Sequence, residues 1–583
     1  MEYRSASAGT AAGGHGGYDP ARFKLRTQKN DEQMVKFIIS MVVLATVFIL
    51  VPSARRLGAS RSPTSRMHIT DTFARILRRY LLRPMLILPS IGHGTLVGIY
   101  LVINACLAFT NTDPALTPIS NFGSRMAWMA IANMMVVVIL ALKNTPLALI
   151  SPWSYERLNI LHQVAGCTTV IFVILHACLY TVNFTSQGRP ERLLERDEIF
   201  GMVAGLSFLV LGFGGMVIRR WWYELFYYVH IAFWMLGLIM TGLHQPEVAK
   251  KVIYVVPVAG GIWILDRIIR FARLAAYSKG NYVTLTPLSN GATRVTLEKA
   301  PIGARPGKHC YLWIPRIRPT EAHPFTIVST DPVEFVIMSY DGFTSALHTF
   351  AKSKPGGKLR ASIDGPYGSN PDPMKYDKTI LVAGGSGVTF TLSIALDMAR
   401  KMGQHDTKEV VFIWIVKQKA YLSWFAEQLN ELQHDSQFKV KLYVTRETIE
   451  EATNPPSRAS SPDMEKSTST AEDPEKDAID TSYRPQTYRS RTMSSGKESN
   501  SDYDLASPIE GVESDVHNVP VNYERPKVAE LVDAAIADVP GDQRVLVMAC
   551  GPQRLSQQVR ETAARRISTG GPSVELHCEQ FGW

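Results

Sequence analysis

The chain has 583 residues, 20% of them charged, and a mean hydropathy close to zero. That balance is too apolar for an ordinary soluble protein and too charged for a chain that only spans lipid, so a membrane part joined to a soluble part is expected. A formal charge of +10 would also suit a nucleic-acid binder, but arginine-rich loops beside membrane spans give the same excess; the lipid bilayer, not nucleic acid, is the expected partner.

Residues 1–33 are rich in Gly and Ala and then charged, with no apolar run for a cleaved signal peptide, and read as an extracytoplasmic tail. Seven apolar segments follow, at about 34–52, 87–110, 126–144, 159–181, 198–218, 226–245 and 252–270, each near the ~20 residues that cross a bilayer. The first stands apart from the other six, which fall within 86–272. The link 53–89 carries eight arginines and one aspartate, whereas loop 111–124 has no Lys or Arg. The positive-inside rule then puts the link in the cytosol, the N-terminus outside and the long C-terminal half in the cytosol. Loop 182–197, with three arginines against three acids, and Lys250 with Lys251 run against that scheme. Asn183-Phe184-Thr185 is a glycosylation sequon in a loop expected outside.

Four histidines lie in these segments at a repeated spacing. His162 and His176 are fourteen residues apart, as are His230 and His244. Fourteen residues make close to four turns and about 21 Å of rise, so the members of a pair share a face. Ionisable side chains inside a span are costly and mark function. The two spans are separated by one other and run in the same direction. His162 and His230 therefore share the cytoplasmic level, and His176 and His244 the outer level. Each level offers two axial imidazoles to one haem, and such ligation leaves no open site on iron, which suits electron transfer. Hydrogen bonding to a neighbouring helix would explain one such histidine, but not the duplicated spacing. His93 reads as structural. Arg157, Arg219 and Arg220 lie near the inner level, where they would pair with haem propionates or serve as positive-inside anchors.

From 279 the pattern becomes alternating, in YVTLTPL, TRVTLEKA and CYLWIP, which predicts a small antiparallel barrel over 278–372. His323-Pro324-Phe325-Thr326-Ile327-Val328-Ser329 ends one strand; an aromatic ring beside hydroxyls can stack on a flavin, although an ordinary strand fits equally well. Gly342-Phe343-Thr344 opens a helical stretch whose N-terminal amides suit a pyrophosphate. Asp364-Gly365-Pro366-Tyr367-Gly368 is a tight turn leading onward. From 378, TILVAGG, EVVFIWIVK, KVKLYVTRE and RVLVMAC read as buried strands with helices between them, a doubly wound α/β domain over 378–583. Gly384-Gly385-Ser386-Gly387-Val388-Thr389 joins a strand to a helix, where glycines let a phosphate approach the backbone. Lys417 and Lys419 follow the next strand, at the adenosine ribose, and favour NADPH over NADH; a solvated loop is the plain alternative. Ala549-Cys550-Gly551-Pro552 ends another strand at the same sheet edge. Between 451 and 503 Ile479 is the only residue among Val, Ile, Leu, Phe and Trp, so about 449–525 is expected to be a disordered insertion. The six cysteines (Cys106, Cys167, Cys178, Cys310, Cys550 and Cys578) form no CxxC pair, which argues against a zinc site and a disulfide framework.

Taken in this order, and closed by Glu579-Gln580-Phe581-Gly582-Trp583, these motifs resemble the ferric reductase transmembrane family, in its fungal plasma-membrane ferric and cupric branch, with NADPH oxidases as relatives. The resemblance covers roughly 86–446 and 526–583. It implies a six-helix haem domain, a ferredoxin-reductase-like FAD barrel and an NADPH domain, hence two haem b, FAD and NADPH as cofactors. The implied iron ligands are His162, His230, His176 and His244. The implied flavin contacts are His323, Pro324, Phe325, Thr326, Ile327, Gly342, Phe343, Thr344 and Trp583. Those implied for NADPH are Gly384, Gly385, Ser386, Gly387, Val388, Thr389, Lys417, Lys419, Cys550, Gly551, Pro552 and Phe581. Basic residues often follow GFT in the family, whereas Ser345 and Ala346 stand here. The expected activity carries electrons from cytosolic NADPH to extracytoplasmic ferric or cupric chelates for iron or copper uptake, at the plasma or vacuolar membrane, with a permease or oxidase as a partner class. An oxidase making superoxide shares every motif. A transporter or sensor with a nucleotide-binding tail would leave the histidine duplication unexplained.

Overall fold

The structure is a computed structural model that describes residues 20–58, 68–85, 88–145, 147, 155–244, 252–403, 406–447, 519–568 and 570–579. It divides into two compact units. One takes in the described residues of Met1–Val47, Ile99–Ala141 and Asn159–Trp263, the other those of Phe48–Gly98, Leu142–Leu158 and Ile264–Trp583.

The N-terminal half is helical: α1 (Pro20–Gly58), α2 (His68–Leu81), α3 (Ile91–Phe109), α4 (Pro118–Ala141), α5 (Tyr155–Ser186), α6 (Arg196–Phe213), α7 (Tyr223–Leu243) and α8 (Val252–Ser278). Among the described residues six stretches are long and apolar enough to cross a membrane: Ala21–Val51, Ile91–Phe109, Pro118–Ala141, Leu158–Ser186, Arg196–Trp221 and Tyr223–Leu243. The seventh expected segment, 252–270, falls in the 27-residue α8, which contains Pro257 and is not among the six.

Two boundaries differ from the sequence expectation for polar reasons. Helix α1 starts well before its apolar run because its first turns are held by the 110–125 region. Arg26 donates to the Ser120 carbonyl and hydroxyl at 3.1 and 2.7 Å, Lys29 to the Thr112 carbonyl at 2.8 Å and Gln33 to the Thr110 hydroxyl at 3.0 Å. Buried Arg125 donates to Asn30 Oδ1 at 2.6 Å and to the carbonyls of Leu107, Thr110 and Asn111. The buried cation is thereby satisfied. The expected loop 111–124 consequently loses its second part to α4. The sequon also moves out of its expected loop. Helix α5 continues through Ser186, Asn183 is only 8% exposed, and its side-chain oxygen accepts from Gln187 at 3.0 Å. The folded chain does not present this amide to a glycosylating enzyme.

Residues 282–367 form eight strands: β1 (Tyr282–Pro287), β2 (Ala292–Leu297), β3 (His309–Trp313), β4 (His323–Thr326), β5 (Ser329–Thr330), β6 (Val333–Met338), β7 (Gly357–Arg360) and β8 (Ser362–Tyr367). They form two antiparallel sheets, β5-β6-β2-β1-β7 and β4-β3-β8, around one core that includes Val283, Val295, Leu312, Phe335 and Ile363. Helix α9 (Gly342–Ser353) packs on it through Phe343 and Leu347.

The last region is a parallel sheet, in the order β12-β11-β10-β9-β13-β14. Its elements are β9 (Lys378–Gly384), α10 (Val388–Lys401), β10 (Glu409–Val416), α11 (Ala426–His434), β11 (Phe438–Val444), β12 (Val521–Asn522), α12 (Val528–Ala537), β13 (Arg544–Cys550), α13 (Gln553–Arg566) and β14 (Ser573–Glu579). Alternate side chains enter two cores, Leu381, Phe412 and Met548 in one and Ile380, Val411 and Val547 in the other. A parallel sheet covered on both faces requires this. The expected insertion, 449–525, ends earlier than its composition indicates. Val519 and Val521 are buried, and β12 pairs with β11, because these valines complete the core. Most of the rest of that segment lies outside the described residues.

Candidate functional site

The four histidines meet as two pairs. The His162 and His230 ring centroids lie 6.4 Å apart, and those of His176 and His244 6.2 Å apart. A metal bound to two imidazoles at about 2 Å per nitrogen needs ring centroids about 6 Å apart. Three of the rings are held through Nδ1 by backbone carbonyls: His162 by Val137 at 3.0 Å, His176 by Gly123 at 2.9 Å and His244 by Asp197 at 2.7 Å. A carbonyl only accepts, so each Nδ1 carries the proton and each Nε2 presents its lone pair, the arrangement that orients a metal-binding imidazole. The fourth, His230, has a buried Nδ1 without a hydrogen-bond partner. These residues fit an iron-centred group at each level. Gly201 makes room for one ring, since a Cβ there would lie 2.7 Å from Cε1 and Nδ1 of His244. Gly201→Val should therefore displace His244; if each histidine pair holds one haem, the purified variant should show about half the haem absorbance of the wild type. The side chain of Arg157 lies outside the described residues; Arg219 is half-buried and Arg220 exposed. His93 contacts Ser90 Oγ through Nδ1 at 2.8 Å beside the start of α3, a structural role.

At the flavin-type sheet, His323, Pro324 and Phe325 are half-buried on β4, whereas Thr326 is buried. Two of the expected contacts are corrected. Ile327 is fully buried and Phe343 is 2% exposed; both are core side chains, and Phe343 stacks against Phe325 at 6.1 Å. Beside the start of α9 is a cavity of about 800 Å³ lined by Arg316, Arg318, Tyr340, Gly342, Ser345 and Thr349, among others. Gly342 has φ of +50°, which lets the chain turn sharply into the helix. Arg316 and Arg318 bring cations to this cavity, where Ser345 and Ala346 carry no charge. In sequence they look like ordinary solvated loop residues.

The Asp364 turn does more than lead onward. Asp364 is fully buried and is reached by Arg270 Nε at 2.7 Å, Arg273 Nε at 3.3 Å and the Tyr367 hydroxyl at 2.8 Å. Asn144 donates to Asp266 at 2.8 Å and accepts from Arg273, and Lys143 lies 3.1 Å from the Tyr311 ring centroid. This lattice binds the end of α8 and residues 143–144 to β3 and β8. Burial, then Asp364, pushes the Cys310 thiol up to about 12 and raises the Tyr367 phenol as well. Neither ionises near neutrality.

The nucleotide turns lie at the carboxyl ends of adjacent parallel strands β9 and β13, where the strand order reverses and ligands bind in such sheets. The turns touch backbone to backbone. A Cβ at Gly387 would meet the Cys550 carbonyl oxygen at 2.3 Å, and Gly385 has φ of +57°. Gly387→Ala should therefore abolish tight nucleotide binding, with NADPH titration as the check. Val388 is fully buried and Cys550 2% exposed, so only their backbones could face a nucleotide. Burial raises the Cys550 thiol pKa, then Glu579, so this sulfur is not a nucleophile. Lys417 and Lys419 follow β10 at the same edge, and the Lys419 amide donates to Glu447 at 2.7 Å. Phe581 and Trp583 lie outside the described residues.

Three family models match in chain order: a ferric reductase like transmembrane component over 126–241, an FAD-binding domain over 279–371 and a ferric reductase NAD binding domain over 376–564. A probable cell surface ferric reductase, kap2, of Aspergillus oryzae is 26% identical over 59% of this chain and 50% of its own length. Ferric/cupric reductase transmembrane component 2 of Schizosaccharomyces pombe is 23% identical over 56% of this chain and 66% of its own. The solved flavohemoglobin of Malassezia yamatoensis aligns with TM-score 0.34 and 16% identity over 80% of this chain and 96% of that chain. The chain spans about half the length of the curated relatives it matches.

Proposed function

Because the chain belongs to the ferric reductase transmembrane family, we propose that it is an NADPH-dependent transmembrane metalloreductase delivering electrons to ferric or cupric chelates across the membrane. The observation that carries the reading is the double pair of imidazoles, each near 6 Å between centroids and three of the four oriented by a carbonyl. FAD, held there, would supply the conversion of a two-electron hydride into single electrons, and haem would supply one-electron transfer. The chain's own part is positioning. His162 and His230 would hold one haem, and His176 and His244 the second. His323, Pro324, Phe325 and Thr326 would flank the flavin, with Gly342 and Thr344 beside its pyrophosphate and the α9 amides favouring negative charge. Gly384 to Thr389 and Cys550 to Pro552 would hold the nicotinamide nucleotide through backbone groups.

Lys417 and Lys419 would take a 2′-phosphate. Replacing both by Ala should raise KM for NADPH about tenfold while leaving KM for NADH within about twofold, measured by initial rates with a soluble dye. An equal effect on both nucleotides would remove the NADPH assignment. The reading as a whole is tested with purified protein in vesicles, NADPH being supplied on the flavin side. Ferric chelate, cupric ion or a superoxide probe is enclosed. The expected result is a haem absorbance band with metal reduction exceeding superoxide formation. Absence of haem, or superoxide as the main product, overturns it.

A further inference from the structure

Along α2, Phe73, Ile76, Leu77 and Tyr80 are spaced by three, four and seven residues and form one stripe, and they are 68%, 48%, 46% and 51% exposed. The opposite stripe carries Arg75 and Arg78 and continues to Leu82 just past the helix end. That side meets the nucleotide region. Arg75 Nη1 donates to the carbonyls of Ser568 and Gly571 at 3.1 and 2.8 Å, and Arg78 pairs with Glu575 of β14 at 2.8 Å. Leu82 packs on the core beneath β9 and β13. At 3.6 residues per turn the two stripes point in opposite directions. One face of α2 is therefore occupied by protein, while the other leaves four large apolar side chains bare, an arrangement that marks an interaction surface.

Chain position identifies the occupant. Helix α2 sits in the link between Ala21–Val51 and Ile91–Phe109, two stretches able to cross a membrane, so it is tethered to the bilayer on both sides. The link 53–89 holds eight arginines and one aspartate. An amphipathic helix with basic flanks lies in the bilayer interface, attracted by anionic headgroups. We propose that α2 is a two-sided strap: its Phe73-Ile76-Leu77-Tyr80 stripe lies in the headgroup boundary of an anionic leaflet, while Arg75 and Arg78 hold the nucleotide domain by β14 and the turn before it. Strand β14 pairs along its length with β13, whose end is the Cys550-Gly551-Pro552 turn. Attachment to the membrane thus acts on the edge of the sheet that would bind the nucleotide.

The test uses full-length protein in vesicles containing phosphatidylserine with a diazirine on its acyl chain. After photolysis, peptides are mapped by mass spectrometry. Lipid adducts are expected on Phe73, Ile76, Leu77 or Tyr80, and about tenfold fewer adducts on this segment when Phe73→Asp and Leu77→Asp are combined. Val42 and Val43, exposed on α1, serve as the labelled control in both proteins. No adduct on α2 beside a labelled α1 overturns the proposal. The docking side is read separately. Arg78→Glu should speed amide hydrogen exchange in β14 at least about fivefold, and adding Glu575→Arg should restore it. Unchanged exchange in Arg78→Glu also overturns it. Neither measurement uses metal reduction, so this strap and the reductase reading can fail independently.

Discussion

On the proposed electron path, His244→Ala is expected to reduce ferric reduction across the membrane to background, about 100-fold or more below wild type, while NADPH oxidation by a soluble dye on the flavin side stays within about twofold. The imidazole at 244 stands 6.2 Å from its partner at 176 and is fixed by the Asp197 carbonyl at 2.7 Å, so nothing else in its place offers a nitrogen to the same centre. An alanine there leaves His176 as the sole imidazole of its level. The effect should be local, because His162 and His230 form a pair of their own and the flavin and nucleotide turns lie far along the chain. If each pair holds one haem, a reduced-minus-oxidised spectrum should retain about half its amplitude. Undiminished transmembrane reduction in this variant would break the ligand assignment, whatever the spectrum showed. His230→Ala should stop transmembrane reduction equally and remove the other half of the band.

Asp364→Ala is expected to destabilise the flavin region by about 3–5 kcal/mol. Asp364 is fully buried and is the acid shared by Arg270 and Arg273, of which Arg270 is only 13% exposed. Removing the carboxylate takes the shared acceptor away from Arg270, Arg273 and the Tyr367 hydroxyl. Asp364→Asn keeps the shape and one acceptor oxygen, so it should cost less while still losing the charge pair. Thermal melts of the purified variants, followed by loss of bound flavin fluorescence, would rank the three proteins. A melt for Asp364→Ala indistinguishable from wild type would mean that the lattice around this acid contributes nothing net.

The sequence showed most of the scaffold, and the reasons for the exceptions are physical. The histidine spacing could be read because a helix converts a count of residues into a height and a face. The parallel strands could be read because both sides of that sheet are covered, which gives continuous apolar runs. A letter inside a motif does not say which way its side chain points, so Ile327, Phe343, Val388 and Cys550 read as contacts although they face the core. The early start of α1 had a cue, since Arg22, Arg26, Lys29 and Gln33 recur at helical spacing along one face. Asn183 was misplaced because a hydropathy window ends where polarity begins, whereas a helix continues as long as its backbone bonds can be made. Arg316 and Arg318 carry no local pattern, and only the cavity they line distinguishes them.

The pairing of β9 with β13 has a consequence for synthesis of the chain. Strand β9 is central, yet one of its two neighbours is Arg544–Cys550, which leaves the ribosome long after Lys378–Gly384. At about 5–20 residues per second, the interval is on the order of ten to thirty seconds. Throughout it the apolar strand TILVAGG has one unsatisfied edge, the kind of surface on which nascent chains aggregate. A cell making this protein must shield that edge, and its yield should depend on chaperone supply during translation more than on the stability of the finished fold.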